Sequence, residues 1–356
     1  MNPVEPADQA PAGVDLVALR RFIDTADPPG TAGSLTGELI SGGKSNLTYR
    51  ISDGVRTWIL RRPPLGLVLA TAHDMNRECR ILRALADSAV PVPTVVAQQP
   101  TADVLDAPFY LMREVDGLVY RSRDQAAGLS PRDAARLGEA LVDTLAALHD
   151  MDYRQTGLEG FGRPEGYLER QVTRWLRQWD AAHLHDYPQV EALGRRLIRA
   201  LPAGGGAGIV HGDYRIDNVI VDRTDPGTIA AVLDWEMSTL GDPLADLGIL
   251  LCYWDEPGRP YNPVTGGLTA VPGFPSHAEV ISRYAARRSR DVPDIDWYVV
   301  FADFKLAIIL EQIHTRHVQG HTVGGGFDQV GEAVWPLLER ALETAARASG
   351  SGLRVS

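Results

Sequence analysis

Three side chains in the middle of the chain have the types and spacing that phosphoryl transfer requires. Asp213 and Asn218 stand five residues apart in His211-Gly212-Asp213-Tyr214-Arg215-Ile216-Asp217-Asn218, and Asp234 follows Asn218 by sixteen residues in Asp234-Trp235-Glu236. Moving the γ-phosphate of ATP needs a base to orient the attacking hydroxyl and oxygen ligands to hold Mg²⁺ on the phosphates. A carboxylate, then an amide oxygen, then a second carboxylate provide that set: Asp213 as base, Asn218 and Asp234 as metal ligands. A solitary Asp-x-x-x-x-Asn would be an ordinary capped turn. The His-Gly in front and the Asp-Trp-Glu behind set this one apart.

The flanking residues predict how these groups are held. Val219-Ile220-Val221 and Ile229-Ala230-Ala231-Val232-Leu233 are short apolar runs rich in β-branched residues, separated by the turn-forming Asp222-Arg223-Thr224-Asp225-Pro226-Gly227. The expectation is a hairpin with Asn218 at the start of its first strand and Asp234 at the end of its second. Such a reversal would bring both ligands to one side of a cleft.

The wider chain predicts two parts. From about Val14 to Val115, short strands alternate with helices: a helix over Leu16–Ala26, strands over Leu39–Ile40, Leu47–Ser52, Thr57–Leu60 and Phe109–Glu114, and a helix over Asp74–Ser88 with Ile81, Leu82 and Leu85 on one face. Residues 116–356 are mainly helical, with helices over Asp133–His149, Tyr167–Ala182, Val190–Leu201, His277–Ser289, Trp297–Gln319 and Phe327–Ala348. Ala203–Gly208 reads as a flexible connector ahead of the catalytic segment. The Pro- and acid-containing residues 1–13 read as a disordered tail without the apolar core of a signal peptide.

At 356 residues the chain can bury two sizeable cores, and 44% hydrophobic with 23% charged residues describes a globular protein. Cys79 and Cys252 are far apart and form no Cys-x-x-Cys pair, which argues against a disulfide framework or a zinc site and predicts a cytoplasmic location. A net charge of −11 argues against nucleic acid as partner, and no apolar run has the length of a membrane span.

The motif set His-Gly-Asp-x-x-x-x-Asn, Leu233-Asp234-Trp235-Glu236 and Gly241-Asp242-Pro243-Leu244-Ala245-Asp246-Leu247 resembles the aminoglycoside phosphotransferase and choline kinase family. The resemblance runs from about Leu39 to Phe327. It is strongest to the branch related to the kinase-like domains fused to acyl-CoA dehydrogenases. Ser41 to Tyr49, Leu60-Arg61-Arg62-Pro63-Pro64 and Phe304 to Glu311 add to it. It implies an α+β, protein-kinase-like two-lobed fold, with a small β-rich N-lobe over 14–115 and a larger helical C-lobe over 116–356. It implies an ATP- and Mg²⁺-dependent phosphotransferase acting on a hydroxyl of a small molecule.

Within that frame, Gly42, Gly43, Lys44 and Ser45 would form a strand-turn-strand flap over the ATP phosphates. Gly43-Lys44-Ser45 is not the end of a Walker A loop, because the required preceding glycine position holds Glu38 and a strand rather than a helix follows. Arg61 stands where protein kinases place a phosphate-binding Lys, and Glu78 would be its partner, with Arg62 on the opposite strand face. The adenine is expected near Met112, Glu114 and Val115. His149 and His211 are expected to orient structure rather than act as bases, and Asp246 to anchor the catalytic loop. Candidates for the acceptor pocket are Asp255, Glu256, Lys305, Glu311 and Arg316. Their mixed charge suits an anionic or acyl-CoA-like acceptor at least as well as an aminoglycoside antibiotic, and the family resemblance ranks a hydroxyacyl-CoA-like metabolite slightly ahead. The alternative is a nucleotide-binding pseudokinase with a regulatory role. A protein kinase is disfavoured because Asp-Phe-Gly and Ala-Pro-Glu segments are missing from the sequence.

Overall fold

The computed structural model describes residues 10–40, 46–65, 74–258, 261–320, 327, 329–348 and 352–354. The flap residues Ser41, Gly42, Gly43, Lys44 and Ser45 lie outside them, as does most of the expected N-terminal tail. The chain divides into two units. One comprises residues 1–116 together with 230–236, and the other residues 117–229 and 237–356. The carboxylate expected to end the catalytic hairpin, Asp234, therefore belongs to the first unit.

Helix α1 (Leu16–Ala26) opens the first unit, started by Asp15, whose carboxylate accepts from the N–H groups of Val17 and Ala18. Strands β1 (Thr36–Leu39), β2 (Leu47–Ser52) and β3 (Thr57–Arg62), helix α2 (Met75–Leu85) and strands β4 (Val95–Gln99) and β5 (Phe109–Arg113) follow. The strands form one antiparallel sheet in the order β1-β2-β3-β5-β4. Strand β1 starts three residues before the predicted run and is mostly exposed. It is an edge strand whose Gly37 and Glu38 carry no β signal, so pairing with β2 creates it. Strand β4 was not predicted; its pairing with β5 is irregular between Val95 and Ala97.

Period-two alternation sorts the side chains of the sheet. Tyr49 and Ile51 of β2, Trp58 and Leu60 of β3, and Phe109 and Leu111 of β5 bury against Leu19 and Ile23 of α1. Asp27, just past α1, accepts from the Trp58 indole at 2.7 Å and from Arg113 at 2.8 Å. Arg61 and Arg62 consequently face opposite ways. Arg62 reaches the carbonyls of Gly13 and Leu105, while Arg61 meets α2.

The second unit contains α3 (Arg123–Ala126), α4 (Pro131–Asp150), α5 (Tyr167–Ala182), α6 (Pro188–Arg199), β6 (Gly208–Val210), β7 (Val219–Val221), the start of β8 (Ile229–Val232), β9 (Thr239–Gly241), α7 (Leu244–Cys252), α8 (His277–Arg288), α9 (Ile295–Val318) and α10 (Val334–Arg347). Local signals start several helices. Ser130 caps α4 with Pro131 in its first turn, and Ser276 with Glu279 makes a reciprocal capping box on α8. Helix α9 is buried along most of its 24 residues, on every face. It is the centre of this unit, packed by α5, α6, α7 and α10. The last helix starts at Val334 instead of Phe327, with a 3-10 turn over Val330–Ala333 ahead of it.

The segment expected to be a flexible connector is held in place. Gly205 N–H donates to Asp242 Oδ2 at 2.9 Å, and a Cβ on Gly205 would come within 2.7 Å of Asp242 Oδ1. Glycine here serves a close approach to a carboxylate rather than flexibility. Among the described residues no helix is long and apolar enough to cross a membrane.

Candidate active site

The catalytic segment begins where β6 ends. β6 pairs antiparallel with β9, with Ile209 opposite Leu240. Buried His211 then enters a loop tied down by Asp246 at the start of α7. Asp246 Oδ2 accepts from His211 N–H at 2.6 Å and Oδ1 from Gly212 N–H at 2.8 Å. His149, the penultimate residue of α4, lies with Nε2 3.2 Å from Asp246 Oδ2 and Nδ1 2.6 Å from the Tyr284 hydroxyl. Burial pushes the Asp246 carboxyl up, but His149, His211 and the Gly212 N–H outweigh it and hold it below the usual carboxylate range. Burial lowers the pKa of His149 despite that carboxylate. Both are positioning groups, with Asp246 fixing two consecutive peptides ahead of Asp213.

Gly212 has φ +87°, and a Cβ there would meet the Met237 carbonyl oxygen at 2.7 Å. Only glycine fits this bend without strain. Beyond it, Asn218 turns its amide back onto Asp213. Its Nδ2 donates to the Asp213 carbonyl at 2.8 Å and to Asp213 Oδ2 at 2.9 Å. Both of these bonds use the amide nitrogen. Arg215 lies beside this pair, its Nε 3.4 Å from Asp213 Oδ2, its Nη1 3.1 Å from Asp217 Oδ2, and its guanidinium 4.7 Å from the Tyr253 ring centre. Burial pushes the Asp217 carboxyl up against the pull of Arg215. The sequence reading gave Arg215 no role. Its place two residues after the base was the available signal.

Strands β7 and β8 flank a turn closed by Asp222 N–H to Thr228 O at 3.0 Å and ordered by the carboxylates of Asp222 and Asp225. This is the chain reversal the turn residues predict. Past Ala230 the chain belongs to the first unit, where Val232 N–H donates to the Pro91 carbonyl at 2.8 Å and the Trp235 indole to the Val232 carbonyl at 3.0 Å.

In the first unit Arg61 stands between two carboxylates. Its Nη2 is 3.0 Å from Glu78 Oε1 on α2 and 3.0 Å from Asp234 Oδ1. Burial works against charge on Arg61, yet Glu78, Asp234 and Glu236 more than offset it and raise its pKa further. Asp234 takes φ +62°, a left-handed conformation that short polar side chains tolerate best and that recurs at functional positions. Glu236 accepts from the Asn46 amide at 3.0 Å. Met112 is buried in β5 opposite Ile59, Glu114 is exposed and pairs with Arg50 at 2.7 Å, and Val115 is half-buried just beyond the strand.

The five acceptor candidates do not form one cluster. Asp255 is buried inside its own loop, accepting from Asn262 N–H, Thr265 Oγ1 and Gly267 N–H at 2.6–2.9 Å. Glu256 accepts from His277 N–H at 2.9 Å at the start of α8. Glu311 holds the loop after α5 through the N–H groups of Leu184 and His185 at 2.8 and 2.9 Å. Arg316 is exposed near the end of α9. Of these five, Lys305 alone adjoins the Asp213 loop, donating from Nζ to the Gly212 carbonyl at 2.5 Å. A cavity of about 10 Å³, room for one water, is lined by Asp213, Tyr253, Cys252, Lys305, Leu306 and Ile309 among others. A larger one of about 340 Å³ opens between the start of α5 and the Gly204–Ala207 segment, away from Asp213.

The oxygens of Asn218 and Asp234 are the hard donors that magnesium prefers, and the Arg61 fork suits phosphate oxygens. Known proteins resemble this chain in sequence and fold. The chain is 34% identical over 334 residues to acyl-CoA dehydrogenase family member 11 of Gallus gallus, covering 92% of this chain and 42% of the relative. The human protein of that name is 33% identical over 310 residues, with 86% and 39% covered. The chain thus spans about two-fifths of the curated relatives it matches. Among solved structures, a Ralstonia eutropha JMP134 protein provisionally named an aminoglycoside phosphotransferase superposes with TM-score 0.80 at 30% identity, covering 94% of this chain and 99% of that one. Aminoglycoside phosphotransferase APH(4)-Ia, solved as a mutant with AMP-PNP and hygromycin B, shares the fold at TM-score 0.59 and 16% identity, with 93% and 99% covered. The α+β fold is protein-kinase-like, as the motifs imply. The phosphotransferase enzyme family profile matches residues 36–280, and with the tethered Asp213 loop and the Arg61 pairs in place, this chain belongs to that family.

Proposed function

We propose that the protein transfers the γ-phosphate of Mg-ATP to a hydroxyl of a small molecule. The observation that carries this reading is the Asn218 amide nitrogen bonded to both the carbonyl and the carboxylate of Asp213, which sets the direction of that carboxylate. Asp213 accepts the hydrogen bond of the acceptor hydroxyl and takes its proton as the bond to phosphorus forms. Arg61, buttressed by Glu78, would bind phosphate oxygens, and Asn218 and Asp234 would each offer an oxygen ligand to magnesium. The metal, when bound, offsets the negative charge of the phosphates. Arg215 places a positive charge at the edge of the base. Much of the rate enhancement then comes from positioning and charge complementarity.

For the acceptor, a hydroxyacyl-CoA-like metabolite is favoured over an aminoglycoside. A polycationic antibiotic needs free clustered carboxylates, whereas Asp255, Glu256 and Glu311 are engaged in holding loops. The cations beside Asp213 are Arg215, which also pairs with Asp217, and Lys305, which holds the Gly212 carbonyl. The names of the relatives, acyl-CoA dehydrogenase family members, support the same choice. The test is ADP formation by purified protein with Mg²⁺ against aminoglycosides, choline, amino alcohols and hydroxyacyl-CoAs. Turnover with hydroxyacyl-CoAs that disappears in Asp213→Asn is expected. Turnover with aminoglycosides alone would overturn the acceptor assignment.

A further inference from the structure

The Gly212 peptide is held from both sides. Its N–H donates to Asp246 and its carbonyl accepts from Lys305 Nζ at 2.5 Å. That carbonyl belongs to the planar peptide bond leading into Asp213, so its direction sets the plane from which the base departs. The bend at Gly212 has a backbone conformation that glycine does not by itself hold fixed, since glycine is the most permissive residue. Lys305 comes from the middle of α9 and is 8% exposed, with its ammonium 5.7 Å from the Trp175 ring centre. Burial disfavours its charged form, while Asp213 and Asp246 favour it. A methionine would fill the same volume without that desolvation cost, so packing alone does not account for a lysine here.

We propose that Lys305 is a positioning residue whose buried ammonium locks the Gly212–Asp213 peptide and thereby fixes the direction of the catalytic carboxylate. Its kinetic consequence rests on the phosphotransfer reading; its structural consequence does not. The experiment compares the full chain with Lys305→Met by hydrogen exchange of peptides spanning 209–219, thermal melting, Mg-ATP affinity and Mg-ATP turnover with the best acceptor of the panel. Exchange at His211, Gly212 and Asp213 is expected to rise by about tenfold, with the melting temperature unchanged or higher. Nucleotide affinity is expected to stay the same while kcat falls by roughly 10–100-fold, the scale of a misplaced reacting group. Unchanged exchange in the loop would overturn the lock even if kcat fell, because the lysine would then be acting on the acceptor. Exchange rising throughout α7, α9 and α10 with a lower melting temperature would also overturn it, reducing Lys305 to core support. If the wild-type chain turns over no acceptor, the phosphotransfer reading is in trouble while the exchange comparison still decides the lock.

Discussion

Asp213 and Asp234 are both carboxylates near one motif, yet their surroundings differ, and so do the roles proposed for them. Asp213 accepts from the Asn218 amide and lies beside Arg215, which also pairs with Asp217. Asp234 is set in a left-handed backbone against Arg61. Asp213→Asn should leave nucleotide affinity nearly intact while reducing turnover by roughly 10²–10⁴, measured by calorimetry and coupled ADP release. Full activity in that variant would remove Asp213 as base. Asp234→Ala should weaken Mg-nucleotide binding as well as turnover. At Gly212 the geometry forbids a side chain, so Gly212→Ala should destabilise the protein by roughly 1–3 kcal/mol in urea unfolding. A neutral result there would mean that the bend relaxes easily.

The turns that hold the elements also carry a pH signature. In the β2–β3 hairpin, Asp53 Oδ1 accepts from the Val55 and Arg56 N–H groups at 2.9 and 2.7 Å, and Oδ2 from Ala32 N–H at 2.8 Å. Burial would raise this carboxyl, but the three backbone donors and Arg56 prevail and lower it to about 2. A depressed folded pKa contributes stability that is complete above the unfolded value and fades as pH falls through the folded one. The contribution should therefore be lost between about pH 4 and pH 2. Asp53→Asn should lower stability at pH 7 and flatten the acid limb of a pH-stability curve over that window. An unchanged limb would show that other carboxylates set it.

Across the whole molecule, the proposed roles make Mg-nucleotide a ligand of the folded state alone. Mg-AMP-PNP at a hundredfold excess over its Kd should add about 2.7 kcal/mol of stability, seen as a rise in melting temperature. The rise should shrink in Arg61→Ala and Asp234→Ala and persist in Asp213→Asn. If all three variants kept the full rise, nucleotide would be binding elsewhere. The buried charges of α9 are a second feature at this scale. Asp303 pairs with Arg340, Lys305 with the Gly212 carbonyl and Glu311 with the loop after α5. Each joins the central helix to a different neighbour, at the desolvation cost any buried ion carries.

Local chemistry made much of this readable in advance. Helix α1 and helix α5 have the predicted limits, because the apolar period of both, and the Asp15 cap of α1, are written within a few residues. The order Asp213, Asn218, Asp234 and the alternation of Arg61 with Arg62 are likewise local, the first a spacing and the second a two-residue period. Strand β4 and the first three residues of β1 were not legible, since a strand with weak propensity exists through its neighbour's hydrogen bonds. Nor was the work of the acidic side chains. Asp255 and Glu311 have the same chemistry whether they face a substrate or close a loop, and only the folded chain brings Gly267 and Leu184 to them. Lys305 stands 93 residues from the carbonyl it holds. A contact at that distance leaves no trace in residue spacing, because it depends on where α9 is packed against the loop that carries the base.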